Sequence, residues 1–167
     1  MLPPKLSPRS ATPGSVPNLA KVMANSPALV KGWLALSGAL SEGVIPAPVR
    51  ERLAIATAQY NNCEYCLSAH TCIGAHVAEV DAEELERARD AESGPHIAAP
   101  LALSDTIARG HGSTDERQLK ARRAAGVADA EMAEVTGNLG LNLLTNYFNL
   151  LADTDNAWPV VTPCTHN

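Results

Sequence analysis

The chain has 167 residues, of which 46% are apolar and only 4% aromatic, and its formal net charge is -5. This length fits one domain with a sizeable core, and the low aromatic content predicts a core of Ala, Leu and Val, which suits closely packed helices. The absence of a basic block argues against a nucleic-acid partner, and the absence of a long apolar run argues against a membrane span.

The first part of the chain is predicted to lie outside the folded domain. Residues 1–16 are rich in proline and show no hydrophobic periodicity, so we expect an N-terminal arm, followed by a domain over residues 17–155 and a tail over residues 156–167. The arm contains no apolar run of the length that a signal peptide needs, and this predicts a cytoplasmic protein. In a reducing compartment, four unevenly spaced cysteines indicate redox or metal chemistry rather than a structural disulfide framework.

Helical spacing of apolar residues, capping residues and chain breaks predict an all-α protein with seven or eight helices. No stretch alternates with the period of two that a strand requires. Residues 113–116 read as a capping box that opens the seventh helix. In chain order the predicted helices cover approximately residues 18–24, 28–40, 49–60, 63–74, 81–92, 97–109, 113–125 and 129–152.

The fourth predicted helix carries the residues that are best suited to chemistry. Cys63, Cys66 and His70 are three and four residues apart, so they share one helix face. Cys63 falls at or near the helix N-terminus, where free N–H groups and the helix dipole stabilise a thiolate. Only a thiolate attacks a peroxide or a disulfide, and His70 is placed to take a proton from Cys66. Cys63 could then close a disulfide onto the oxidised Cys66.

Two other interpretations of this pair remain open. Cys63, Cys66 and His70 could instead supply three ligands to zinc. Structural zinc sites usually draw a second ligand pair from a distant segment, and the sequence offers only weak candidates for it, so we favour redox chemistry and expect no metal. The third possibility is a buried, inert pair. The additional ligand candidates considered are Cys72, His76, Cys164 and His166.

The spacing of these residues resembles a known family signature. The chain has Glu51, then a gap of eleven residues, then Cys63-x-x-Cys66 followed by His70. This pattern is similar to that of alkylhydroperoxidase D-like proteins in the carboxymuconolactone decarboxylase superfamily. The flanking residues of the cysteine pair and the segment Thr145-Asn146-Tyr147-Phe148-Asn149 are also similar to that family. The resemblance covers approximately residues 29–159 and leaves out the arm and the tail.

The resemblance implies an all-helical fold of the alkylhydroperoxidase D-like type that assembles as a trimer, dimer or hexamer. It also implies a hydroperoxide or disulfide reductase that needs no cofactor and is reduced by an external dithiol or a thioredoxin-like or lipoyl partner. Transferred to this sequence, Cys66 is the peroxidatic thiol and Cys63 the resolving thiol. His70 is the proton relay to Cys66, and Glu51 orients that relay or accepts its proton.

Three further residues are candidates for the substrate pocket. Tyr65 occupies a position where the best-known family member has a histidine, so we expect it either to shape the pocket or to pack. Asn146 and Tyr147 could line the site, with core packing as the alternative for both. Two other functions stay open: a decarboxylase or lactone-handling enzyme that uses His70 and Glu51 as acid and base, and an oligomeric protein whose cysteine pair senses oxidation.

Overall fold

The computed structural model describes residues 16–90 and 98–164 and confirms the predicted all-α fold: these residues form eight helices and no strand. His96, His166 and almost the whole predicted arm lie outside the described residues. The helices are α1 (Asn18–Met23), α2 (Pro27–Ser41), α3 (Ala47–Tyr60), α4 (Glu64–His76), α5 (Ala82–Arg89), α6 (Ala98–Arg109), α7 (Glu116–Ala124) and α8 (Asp129–Ala152).

Local capping chemistry explains why the predicted helix boundaries agree so closely with the observed ones. The Asp81 carboxylate accepts a hydrogen bond from the Glu84 N–H at 2.9 Å and so begins α5. Helix α7 begins with a capping box formed by Asp115 and Gln118, in which the side chain of each residue accepts a hydrogen bond from the backbone N–H of the other. The prediction that it spans residues 113–116 is wrong, because the Ser113 N–H donates to the Gly110 carbonyl at 2.9 Å and holds Ser113 in the preceding turn.

Helix α3 is the centre of the fold and packs against α4, α5, α6 and α8. Most side chains from Arg52 to Gln59 are buried, among them Leu53, Ile55 and Ala58, which are fully inaccessible to solvent. A helix that is buried all round must be enclosed by its neighbours. The elements that enclose it contribute further fully or almost fully buried side chains to the same core: Met23, Ile45, Leu67, Leu101 and Val135.

A short turn connects α3 to α4 and fixes where the cysteine helix begins. Asn62 adopts a left-handed conformation with φ of 54°, which asparagine tolerates better than most residues. The Cys63 N–H then donates to the Ala58 carbonyl at 2.9 Å. Cys63 therefore becomes the N-cap of α4, and α4 packs directly on α3.

Part of the predicted tail is packed on the domain. The Ser68 hydroxyl, which is completely buried in α4, accepts hydrogen bonds from the Asn156 side chain at 3.1 Å and from the Val161 N–H at 2.9 Å. Trp158 and Val161 pack against the core. Residues 156–164 thus lie along the outside of the cysteine helix.

None of the helices within residues 16–90 and 98–164 has the length and apolar character needed to cross a membrane.

Candidate active site

The two cysteines of the motif are joined by a disulfide in the structure. Their Cα atoms are 5.3 Å apart, which is within the normal range for a disulfide. Both side chains are buried, with 1% of Cys63 and 3% of Cys66 exposed. The structure therefore describes the oxidised form of the pair.

The first cysteine occupies the predicted position at the helix N-terminus. Cys63 is the N-cap of α4, and its sulfur accepts a hydrogen bond from the Cys66 N–H at 3.3 Å. In the reduced protein the same N–H group and the helix dipole would favour a negative charge on this sulfur. The arrangement follows from the turn at Asn62, which places Cys63 just before the first helical residue.

Glu51 and His70 form a pair between α3 and α4. Glu51 Oε2 lies 2.8 Å from His70 Nδ1, and the two side chains are 17% and 25% exposed. A carboxylate accepts hydrogen bonds, so the network assigns the proton to Nδ1 and leaves the lone pair of Nε2 free to accept a proton. His70 lies one helical turn after Cys66, and the pair thus supplies an oriented base on the helix that carries the disulfide.

Gly74, one turn after His70, permits the close packing around this pair. A Cβ atom at this position would lie 2.7 Å from Leu85 Cδ2 and 3.7 Å from Glu51 Cβ. The first distance is too short for two carbon atoms, because carbon atoms in contact are normally about 3.5–4.0 Å apart. The absence of a side chain at Gly74 lets α5 pack tightly against α4 beside the Glu51–His70 pair.

Tyr65 has a clear structural contact. Its side chain is buried, and its hydroxyl accepts a hydrogen bond from the Leu19 N–H at 3.2 Å. Leu19 belongs to the first turn of α1, whose leading N–H groups have no partner inside the helix. The packing alternative for Tyr65 is thus observed, and a pocket role for it remains a prediction.

The two pocket candidates on α8 lie on different sides of the helix. Asn146 is 1% exposed, and neither of its amide atoms has a hydrogen-bond partner among the described residues. Tyr147 is 58% exposed and does not belong to the buried face. Of the two, only Asn146 belongs to the core-facing side of α8.

Asn149 contacts the cysteine pair, although the sequence indicated it only as part of the family-like segment 145–149 and not as a site residue. Its Nδ2 group donates to Cys66 Sγ at 3.3 Å, and its side chain is almost completely buried. Besides that segment, the sequence offered its spacing from Asn146: Asn149 comes three residues later on α8, which puts the two on one face. That spacing does not reveal that this face packs against residues 83 positions earlier in the chain.

The remaining cysteines lie apart from the pair. Cys72 is half-buried, and Cys164 is exposed. Cys164 lies beside Arg89, whose Nη2 group is 2.8 Å from its sulfur. Within the parts of the chain that the structure describes, no group of three or more His, Cys, Asp and Glu side chains could hold a metal ion.

Residues 27–99 match the family model for the carboxymuconolactone decarboxylase family. The matched range contains Glu51, Cys63, Cys66 and His70. This match confirms the resemblance stated from the sequence. Comparison with curated proteins found no match.

Solved structures with the same fold include two peroxidase-related proteins and a debrominase. One is an uncharacterised peroxidase-related protein from Silicibacter sp. TM1040, with 21% identity, a TM-score of 0.74, and coverage of 89% of this chain and 78% of that one. The second, described as an alkylhydroperoxidase AhpD core, is an uncharacterised peroxidase-related protein from Ralstonia eutropha JMP134, with 22% identity, a TM-score of 0.74, and coverage of 83% and 75%.

The third is the debrominase Bmp8 in complex with 2,3,4-tribromopyrrole, with 17% identity, a TM-score of 0.71, and coverage of 86% of this chain and 78% of that one. At these identities the similarity shows the fold alone. Together these structures confirm the expected alkylhydroperoxidase D-like fold.

Proposed function

We propose that this chain, which matches the carboxymuconolactone decarboxylase family model over residues 27–99 and has an alkylhydroperoxidase D-like fold, is a thiol-dependent peroxidase or disulfide reductase. The observation that carries the proposal is the Cys63–Cys66 disulfide on the helix whose His70 is paired with Glu51 at 2.8 Å. Peroxide reduction by thiols requires a dithiol that can be oxidised to a disulfide and reduced again, and a correctly oriented base beside it.

The first half of the proposed cycle oxidises Cys66. His70 accepts the thiol proton at Nε2 while Glu51 holds Nδ1–H. The Cys66 thiolate attacks one oxygen of the hydroperoxide: an S–O bond forms, the O–O bond breaks, and two electrons pass from sulfur to the peroxide. The alkoxide leaves and takes a proton from the imidazolium, and Cys66 becomes a sulfenic acid.

The second half forms the disulfide. The Cys63 thiolate attacks the sulfenic sulfur, an S–S bond forms, the S–O bond breaks, and the hydroxide leaves as water after protonation. An external dithiol, either thioredoxin-like or lipoyl, then reduces the disulfide by thiol–disulfide exchange and is itself oxidised. The buried pair with adjacent Cα atoms 5.3 Å apart supports this step, since neither sulfur has to travel for the bond to form.

The fold by itself does not select the reaction, because peroxidase-related proteins and a debrominase have it in common. The residues of the site favour the peroxidase proposal. A decarboxylase or lactone-handling enzyme would need only His70 and Glu51 and would have no use for a cysteine pair. A protein that only senses oxidation would need the disulfide and would have no use for the Glu51–His70 pair.

A turnover assay tests the proposal. The reduced wild-type protein is mixed with a hydroperoxide and a dithiol reductant, and peroxide loss is followed at steady state. We expect catalytic consumption by the wild type and none above background for Cys66→Ser, with Cys72→Ser as the matched control that retains activity. Equal consumption by Cys66→Ser and the wild type would reject the proposal. Retained activity on a lactone acid after alkylation of both thiols would favour the decarboxylase alternative.

A further inference from the structure

We infer that Asn149 is a catalytic residue, whose side-chain amide stabilises the Cys66 sulfur as a thiolate and so makes Cys66, rather than Cys63, the attacking thiol. The inference rests on the proposed function and adds to it a residue that neither the cysteine motif nor the Glu51–His70 pair supplies. It is carried by the contact of Asn149 Nδ2 with Cys66 Sγ at 3.3 Å.

The two sulfur atoms of the pair have different surroundings. Cys63 is the N-cap of α4 and accepts a hydrogen bond from the Cys66 N–H at 3.3 Å. A helix N-terminus is a favourable place for a thiolate, so the helix alone would make Cys63 the more acidic thiol. Cys66 lies three residues further along, so a donor from elsewhere in the fold would favour its thiolate over that of Cys63.

Asn149 supplies that donor. It reaches Cys66 from α8, and both side chains are buried, with 4% and 3% exposed. The sulfur of a disulfide is a weak acceptor, whereas a thiolate is an anion and makes a charge-assisted hydrogen bond that is about twice as strong. The same contact therefore stabilises the reduced, ionised Cys66 more than the disulfide seen in the structure.

The burial of polar groups around Asn149 supports a chemical role over a packing role. Asn149 Oδ1 and both amide atoms of Asn146 are buried without a hydrogen-bond partner among the described residues. A buried polar atom without a partner destabilises a fold, so an apolar face would pack better here. A polar face kept beside the reacting sulfur, at the expense of stability, is typical of a functional site.

The test is the alkylation of reduced protein by iodoacetamide at a series of pH values, with the modification of each cysteine measured by mass spectrometry. The background variant is Cys63→Ser, so that no disulfide re-forms. A hydrogen bond to an ionised group accounts for about a 10- to 100-fold change in the thiolate fraction. We expect Asn149→Ala and Asn149→Asp to slow Cys66 alkylation by that factor at neutral pH and to raise its pH midpoint by about one to two units.

Three controls keep the test specific. Asn138→Ala removes another buried asparagine of α8, whose amide donates to the Glu134 carbonyl, and we expect no change in Cys66 alkylation. The half-buried Cys72 reports on the general integrity of the fold in the same spectra, and the exposed Cys164 is the reference for the reagent. In a Cys66→Ser background, Asn149→Ala should leave the alkylation of Cys63 unchanged, since Asn149 donates to the Cys66 sulfur.

An unchanged Cys66 rate in both Asn149 variants would overturn the inference, and so would an equal change at Cys66 and Cys72. The assay contains no peroxide. If Asn149 controls the reactivity of Cys66 in a protein that does not consume peroxide, the proposed function fails, while the stabilisation of the Cys66 thiolate by Asn149 stands. If peroxide is consumed and the Asn149 variants react like the parent protein, the inference alone fails.

Discussion

The two sulfur atoms of the site receive hydrogen bonds from different sources. Cys63 is held by a backbone N–H of its own helix, and Cys66 is held by the amide of Asn149 from a helix that lies far away in the sequence. His70 adds a base whose orientation is fixed by Glu51. Each thiol of the proposed cycle thus has its own hydrogen-bond donor. The two different donors distinguish the attacking thiol, Cys66, from the resolving thiol, Cys63.

Glu51→Gln tests the positioning of the base. Glutamine keeps the size of the side chain but loses the charge that holds the proton on His70 Nδ1. The proton can then reside on Nε2, which in that form cannot accept the thiol proton. We expect kcat for peroxide reduction to fall by about 10²-fold, at the lower end of what a positioned base contributes. The measurement is steady-state turnover with a dithiol reductant, together with the thermal unfolding of each variant.

Glu84→Gln is the matched control, because Glu84 is also a largely buried carboxylate, 19% exposed, but pairs with Arg52 instead of a histidine. It should alter thermal stability while kcat stays within about two-fold of the wild-type value. If Glu84→Gln lowered kcat as much as Glu51→Gln does, the effect of Glu51 would be one of folding, and its role as a positioning residue would be wrong.

At the scale of the elements, the sequence reveals where helices begin and end, but it does not reveal which distant helices pack together. Helix boundaries were predictable to within a few residues, since caps such as Asp81 and turns such as Asn61-Asn62 act over three or four positions. The Glu51 and His70 pair was predictable only through a family resemblance. The contacts of Asn149 with Cys66 and of Tyr65 with Leu19 depend on how distant helices pack, which spacing along one helix does not encode.

Gly74→Ala tests the close packing of α4 against α5. The added methyl would overlap the buried Leu85 side chain, so we expect the free energy of unfolding to fall by about 1–3 kcal/mol. The measurement is urea unfolding followed by circular dichroism. Gly32→Ala in α2 is the control: no atom lies within 4 Å of the added Cβ, and this variant should gain about 0.5–1 kcal/mol of stability. Stabilisation by Gly74→Ala would contradict the packing described here.

At the scale of the whole molecule, one side of the protein is apolar and open to solvent. Helix α2 has no buried residue, and its Leu34 is 55% exposed. On the adjacent α8, Leu144, Tyr147 and Leu151 share one face and are 38%, 58% and 75% exposed. Residues 135–152 contain no charged side chain. An apolar helix face without charges can pair with the same face of a second copy, as symmetric oligomers require.

We therefore propose that this face joins copies of the chain into a homo-oligomer, and Leu151→Lys tests it. A lysine there would place a charge in the interface, so the particle mass measured by light scattering should drop towards that of the monomer, 17.5 kDa. Val77→Lys, at an equally exposed position at the end of α4, should leave the mass unchanged. A wild-type protein that is monomeric at all concentrations would contradict the proposal.

The central claim is that Cys66 is the thiol that a hydroperoxide oxidises. Its most direct test is to treat reduced Cys63→Ser with one equivalent of hydroperoxide, trap sulfenic acid with dimedone, and locate the label by mass spectrometry. The account predicts a label on Cys66 within the first turnover, with none on Cys72 or Cys164. It would be contradicted by an unlabelled Cys66, or by a Cys66→Ser protein whose Cys63 is labelled just as fast.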